Sequence, residues 1–228
     1  SGIVIALDDL SKINKVKSTF KKYVSKNIVD KLLENEDSLN LGGTESDITI
    51  LFSDIRGFTS MSEKLSPTEI VKLLNKYFKS MIDVVFKYNG TLDKIVGDEL
   101  MVLYGVPLKS EDDTDNAVKT AIKMFQSLDK FNEVIIKEGY KPFKIGIGIN
   151  KGKAVSGNIG SEQQMNYTVI GDTINLGARL CSHAKSGEIL ISSSVKDVIS
   201  DDYAFKKIPS IEVKGKSKPI EVWLYKHK

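Results

Sequence analysis

A single cysteine, Cys181, leaves this chain without an internal disulfide framework and suits a reducing compartment. Nor does any apolar run approach the roughly 20 residues of a membrane-spanning helix; the longest near the start is Ile3-Val-Ile-Ala-Leu7. Charge of one sign is also missing. With 33 basic against 30 acidic side chains and a formal net charge of +3, neither nucleic acid nor a membrane surface is recommended as a partner. The lysine-rich tracts at residues 12–26 and 206–218 read as solvated faces. The 228 residues hold one substantial domain and an appendage, not two full domains. The first residue is Ser1, not methionine, which suggests a piece of a longer protein or a processed end. A cytoplasmic location is expected, with membrane attachment of the full-length protein through upstream segments as the alternative.

What is present falls into three stretches. Residues 1–10 look like the closing strand of a PAS-type sensor domain with its acidic exit; the competing reading is a tag remnant and a lead. In residues 11–46, Ile13, Val16, Phe20 and Val24, then Ile28, Val29, Leu32 and Leu33, recur at helical intervals. They predict a helical stalk, followed by a linker with Gly42-Gly43. Residues 47–228 form the main domain. A strand over 47–53, a turn at 56–59 and a helix over 67–88 capped by Ser66 with Pro67 at N1 come first. Strands over 91–96 and 99–104 then flank Gly97-Asp98 as a hairpin. A second long helix covers 112–137, and a strand covers 144–149. This βαββαβ order predicts an α+β fold, a ferredoxin-like palm with added C-terminal strands and helices. Gly146 and Gly148 alternate with isoleucines inside a strand, which favours close backbone packing over a phosphate loop.

Two carboxylates carry the chemistry. Asp54 ends the run Ile48-Thr-Ile-Leu-Phe-Ser-Asp54, and Asp98 lies in Lys94-Ile-Val-Gly-Asp98. Each sits where a strand meets a tight turn, so strands laid side by side would bring two hard oxygen ligands to one point, suited to Mg²⁺ or Mn²⁺. Alone, either is readily a turn or capping residue. A third segment changes the balance: in Thr168-Val-Ile-Gly-Asp-Thr-Ile-Asn175-Leu-Gly-Ala-Arg179, Asn175 and Arg179 are four apart on a helical face. They offer an amide and a planar guanidinium.

At these motifs the chain resembles the class III nucleotidyl cyclases, the family of adenylate and guanylate cyclases, from Asp47 to the C-terminal Glu212-Val-Lys-Gly-Lys-Ser-Lys-Pro-Ile-Glu-Val-Trp run. The resemblance implies two divalent cations on Asp54, Asp98 and the Ile55 carbonyl, with the amides around Gly57, Phe58 and Thr59 facing the β- and γ-phosphates. It gives Asn175 to the ribose, Arg179 to charge at the α-phosphate, Lys214 to the terminal phosphates, and Lys94 and Thr168 to the base. Lys94 lies four residues before Asp98, yet base and metal-bound phosphates are opposite ends of one nucleotide. Two chains resolve this, each hairpin serving two sites, and a two-fold homodimer follows.

Guanylate-specific members carry an acid at the lysine position, so Lys94 implies ATP. Many adenylate cyclases carry Asp where this chain has Thr168. Threonine there resembles the subgroup that includes bicarbonate-responsive enzymes, and its hydroxyl, able to donate as well as accept, leaves a relaxed ATP/GTP preference open. The expected activity is conversion of ATP to 3′,5′-cyclic AMP as the output of an upstream sensor domain. The rivals are a non-catalytic cyclase-like dimerisation domain and another palm-fold transferase. A diguanylate cyclase would show Gly-Gly-acid-acid-Phe where this chain has Val96-Gly-Asp-Glu-Leu100.

Overall fold

Alternation along β1 (Gly42–Ile55) builds two cores on opposite faces of one sheet. Ile48, Ile50 and Phe52 pack in one cluster, and Leu51 and Ile55 in the other. The computed structural model of the chain describes residues 41–161, 163–212 and 219–227. The lead and most of the stalk expected over 1–40, and Lys214, therefore lie outside the described residues.

Helix α1 (Phe58–Ser62) follows β1, and α2 (Pro67–Lys87) follows α1. Strands β2 (Thr91–Val96) and β3 (Glu99–Tyr104) form the hairpin, and α3 (Asp113–Lys137) leads into β4 (Ile145–Ser161). Then come β5 (Gln164–Ile170), α4 (Asp172–His183), β6 (Glu188–Ser192), α5 (Ser193–Lys196), β7 (Lys206–Ile211) and β8 (Ile220–Lys226). The sheet runs β2-β3-β1-β4-β6-β8-β7, with β5 also on β4. Its first four strands, antiparallel throughout, are the ferredoxin-like palm expected from the sequence. The fold is α+β, with β6 added parallel to β4 and β8 and β7 completing the far edge.

Helix α2 starts where its first turn can be closed. The Ser66 hydroxyl accepts from the Glu69 amide at 3.3 Å, and the Glu69 carboxylate accepts from the Ser66 amide at 2.9 Å, a reciprocal capping box with Pro67 behind it. Leu73, Tyr77, Met81 and Val85 recur every four residues and are fully buried. They join Val118, Met124, Phe125 and Phe131 of α3 on one face of the sheet. The other face, with Met101, Leu103 and Val169, is covered by α4 through Cys181, Ile174 and Ala178.

Three local expectations differ from what is seen. β1 begins at Gly42, because Gly42 to Ser46 continue the ladder opposite Asn158 to Ala154. β4 runs on to Ser161, well past residue 149. Both extensions are mostly solvent-exposed or glycine-rich and lack the apolar alternation that marks a strand in sequence. A one-turn helix, α1, stands where only a turn was expected, entered through Gly57 in the left-handed conformation at φ 74°.

Candidate active site

Asp54 is the last-but-one residue of β1, and Asp98 sits in the two-residue turn between β2 and β3 after Gly97, whose φ is 63°. The neighbouring β1–β3 ladder brings them together: the Ile55 amide donates to Asp98 Oδ2 at 3.1 Å. Burial, and next the charge of Asp54, push the Asp98 carboxyl up to about 6. The adjoining Glu99 is raised by burial and by both aspartates. Like charges gathered at one half-buried point are a donor set that a divalent cation stabilises. No group of three or more His, Cys, Asp or Glu side chains able to hold a metal occurs among the described residues. The donor chemistry on hand is the two neighbouring carboxylates of Asp54 and Asp98, with the Ile55 amide already donated to Asp98. It fits the Mg²⁺ or Mn²⁺ expected from the sequence.

Arg56 braces this corner. Its guanidinium pairs with Asp54 at 3.0 Å and donates to the Cys181 carbonyl at 2.7 Å and the Gly146 carbonyl at 3.4 Å. One cation therefore ties the end of β1 to β4 and to the last turn of α4, where the helix dipole favours positive charge. Gly146 leaves the space: a Cβ there would lie 2.5 Å from Arg56 Nε. Gly57, Phe58 and Thr59 lie at the start of α1, where the first amides have no acceptor within the helix.

Lys94 and Thr168 meet in space. The Lys94 ammonium donates to Thr168 Oγ1 at 3.0 Å, although β2 and β5 are four strand steps apart. A flat sheet would hold those strands about 19 Å apart at ~4.8 Å per step. The contact exists because the β4–β5 arm folds back over the sheet, placing Val169 in one cluster with Met101 and Leu103. Asp93 completes the group, its carboxylate pairing with Lys94 and accepting from the Thr168 hydroxyl at 3.2 Å.

Asn175 and Arg179 lie one turn apart on α4, Asn175 exposed and Arg179 half-buried. Gly148 and Gly177 seat this helix tightly. A Cβ on Gly148 would lie 2.1 Å from the Cys181 nitrogen, and one on Gly177 would lie 2.9 Å from Ile50. The close-packing reading of Gly146 and Gly148 is the one seen. Within one chain, no hydrogen bond or ion pair joins Asn175 or the Arg179 guanidinium to Asp54, Asp98, Lys94 or Thr168 among the described residues. The chain thus presents a carboxylate pair, a lysine–threonine pair and an amide–guanidinium face. Sequence reasoning missed Arg56, Glu99 and Asp93. Glu99 and Asp93 adjoin Asp98 and Lys94, and Arg56 lies two residues from Asp54; that nearness was the available signal.

The family model of the adenylate and guanylate cyclase catalytic domain matches residues 43–226. The chain is 34% identical over 224 residues to an adenylate cyclase of Anabaena cylindrica, covering 93% of this chain and 44% of that protein. It is 30% identical to adenylate cyclase 1 of Rhizobium meliloti, covering 90% of this chain and 31% of the relative. The chain therefore spans less than half the length of these relatives. Among solved structures, the guanylyl cyclase Cya2 superposes with a TM-score of 0.78 at 41% identity, over 80% of this chain and 93% of that one. The adenylyl cyclase CyaB from P. aeruginosa gives 0.78 at 38% identity, over 81% and 95%.

Proposed function

The chain belongs to the adenylate and guanylate cyclase catalytic-domain family, and from that premise we propose that it is an adenylate cyclase acting as a homodimer with sites shared between two copies. The carrying observation is the Lys94–Thr168 pair at 3.0 Å, a donor and a hydroxyl suited to the amine-bearing edge of adenine. In the reaction, the ATP 3′-oxygen bonds to the α-phosphorus, the bond to the pyrophosphate oxygen breaks, and the 3′-hydroxyl proton is lost. Two divalent cations held by Asp54, Asp98 and the Ile55 carbonyl would supply Lewis-acid stabilisation of the attacking oxygen and of the phosphate charge. Arg56 holds Asp54 in place for that task. The amides of Gly57, Phe58 and Thr59 receive the terminal phosphates, with Lys214 assisting, while Asn175 of the second copy orients the ribose. Arg179 of that copy meets the charge that develops at the α-phosphate.

The shared-site reading draws support from the apolar surface beside the base-binding pair. Ile95, Val96 and Ile170, one or two residues from Lys94 and Thr168, are 41%, 59% and 55% exposed, surface that a second copy would cover. An upstream sensor in the same chain and a cytoplasmic site of action belong to this proposal; no helix of the described residues is long and apolar enough to cross a membrane. A relaxed ATP/GTP preference is a second reading, favoured by the 41% identity to a guanylyl cyclase. Product analysis with Mn²⁺ separates them: cyclic AMP from ATP with little cyclic GMP from GTP supports the first, and equal yields support the second. No cyclic product from either nucleotide refutes both. Lys94→Glu with Thr168→Cys should move the preference toward GTP. Bicarbonate stimulation, if specific, should not be reproduced by chloride or by pH alone.

A further inference from the structure

Asp93 stands where strand alternation would hide it. Between Leu92, opposite Val102, and Lys94, opposite Met101, the β2–β3 register slips by one residue, and Asp93 is the extra residue of this bulge. A regular strand sends neighbours to opposite faces, whereas a bulge re-aims one of them. Here both Asp93 and Lys94 reach Thr168. The Asp93 side chain is fully buried, and its Oδ1 has no hydrogen-bond partner among the described residues. A buried carboxylate left half unsatisfied lowers stability, so a packing role does not account for it.

The three groups leave one consistent set of donors and acceptors. An ammonium only donates and an ionised carboxylate only accepts, so Lys94 donates to both partners and the Thr168 hydroxyl must donate to Asp93. The single Thr168 proton is then committed. What remains for a ligand is one lone pair of Thr168 and the third N–H of Lys94, whose partner is the weakly accepting Met101 Sδ at 3.9 Å. This donor–acceptor pair complements N1 and the exocyclic amine of adenine. A six-oxo purine presents an N1–H and a carbonyl, the reverse order.

We infer that Asp93 is a specificity-positioning residue, which fixes the Thr168 hydroxyl as an acceptor and so selects a six-amino over a six-oxo purine. The inference rests on the adenylate cyclase reading and deepens it. It also supplies the discrimination that a freely rotating hydroxyl at position 168 would lack.

The test compares kcat/KM for ATP and for inosine triphosphate, whose base carries a carbonyl at position six and a proton on N1. Asp93→Asn gives Thr168 an amide that can donate, and Asp93→Leu removes the partner with little change of shape, covering the case in which the first variant folds poorly. Each should lower the ATP-to-ITP ratio by about tenfold or more. Thr168→Val should lower it similarly, Thr168→Ser should keep it, and Asp93→Asn added to Thr168→Val should change it no further. An unchanged ratio in folded Asp93 variants, or an Asp93 effect that persists in the Thr168→Val background, overturns the inference. A wild-type chain that yields no cyclic AMP refutes the adenylate cyclase reading itself. A wild type that prefers ATP beside Asp93 variants that prefer it equally refutes the inference alone.

Discussion

Replacing Gly148 by alanine tests whether the seating of α4 on β4 governs reactivity. Gly148 lies in β4 between Phe52 of β1 and Leu190 of β6. An added Cβ would sit 2.1 Å from the Cys181 nitrogen, 2.6 Å from the Gly177 oxygen and 2.7 Å from Cys181 Cα. All three are backbone atoms of α4, so no side chain can rotate out of the way. Helix and strand must separate by about 1 Å before ordinary contact is restored. Overpacking of this kind destabilises by about 1–3 kcal/mol, a fall in melting temperature of about 2–12 °C at ~2–4 °C per kcal/mol for a domain of this size. Asn175 and Arg179 ride on α4, and the Cys181 carbonyl holds the arginine that holds Asp54. A displacement of about 1 Å should therefore lower kcat on the order of a hundredfold. Lys94 and Thr168 lie on β2 and β5, so affinity for 3′-deoxy-ATP, which cannot cyclise, should change much less. Thermal melts, initial rates and calorimetric binding of that analogue read the three quantities. A Gly148→Ala chain with wild-type melting temperature and kcat would show that α4 does not rest on this glycine as described.

Arg179→Ala should reduce kcat far more than it raises KM, since its contact strengthens as charge develops in the transition state; an unchanged kcat in steady-state assays would remove that role. Cys181, its thiol pushed up to about 12 chiefly by burial, should resist iodoacetamide at pH 8 in the folded protein and react after denaturation, as intact-mass measurement would show. Prompt alkylation of the native chain would contradict its burial between α4 and the sheet. Ser66→Ala should destabilise the domain by about 0.5–2 kcal/mol through loss of the capping box, with kcat/KM unchanged; a wild-type urea midpoint would show that the cap contributes nothing.

The palm was legible because its elements carry local signals. Leu73, Tyr77, Met81 and Val85 spell a helical face after a Ser-Pro start, and the β2–β3 hairpin is delimited by Gly97-Asp98. Asp54 and Asp98 could be paired in advance because both end strands at turns, and the β1–β3 ladder brings them together. Asp93 could not be found this way. Its position depends on a register slip between strands and on an arm folded back from four strands away, and neither leaves a periodic trace in the chain. Arg56 was passed over because two of its partners, the Cys181 and Gly146 carbonyls, are backbone atoms distant in sequence. The early start of β1 at Gly42 was hidden by glycine and polar residues exposed on both faces.

The central claim is that each site is assembled from two copies, and mixing two inactive chains tests it directly. On the proposed reading, Asp54→Ala removes a metal ligand, and Arg179→Ala removes the group supplied by the second copy. An equimolar mixture under conditions of subunit exchange should produce cyclic AMP at about a quarter of the wild-type rate per chain, since half of the dimers are mixed and each has one complete site. Each variant alone should stay near background. A mixture no more active than its parents, with mixed dimers verified by mass, would contradict shared sites.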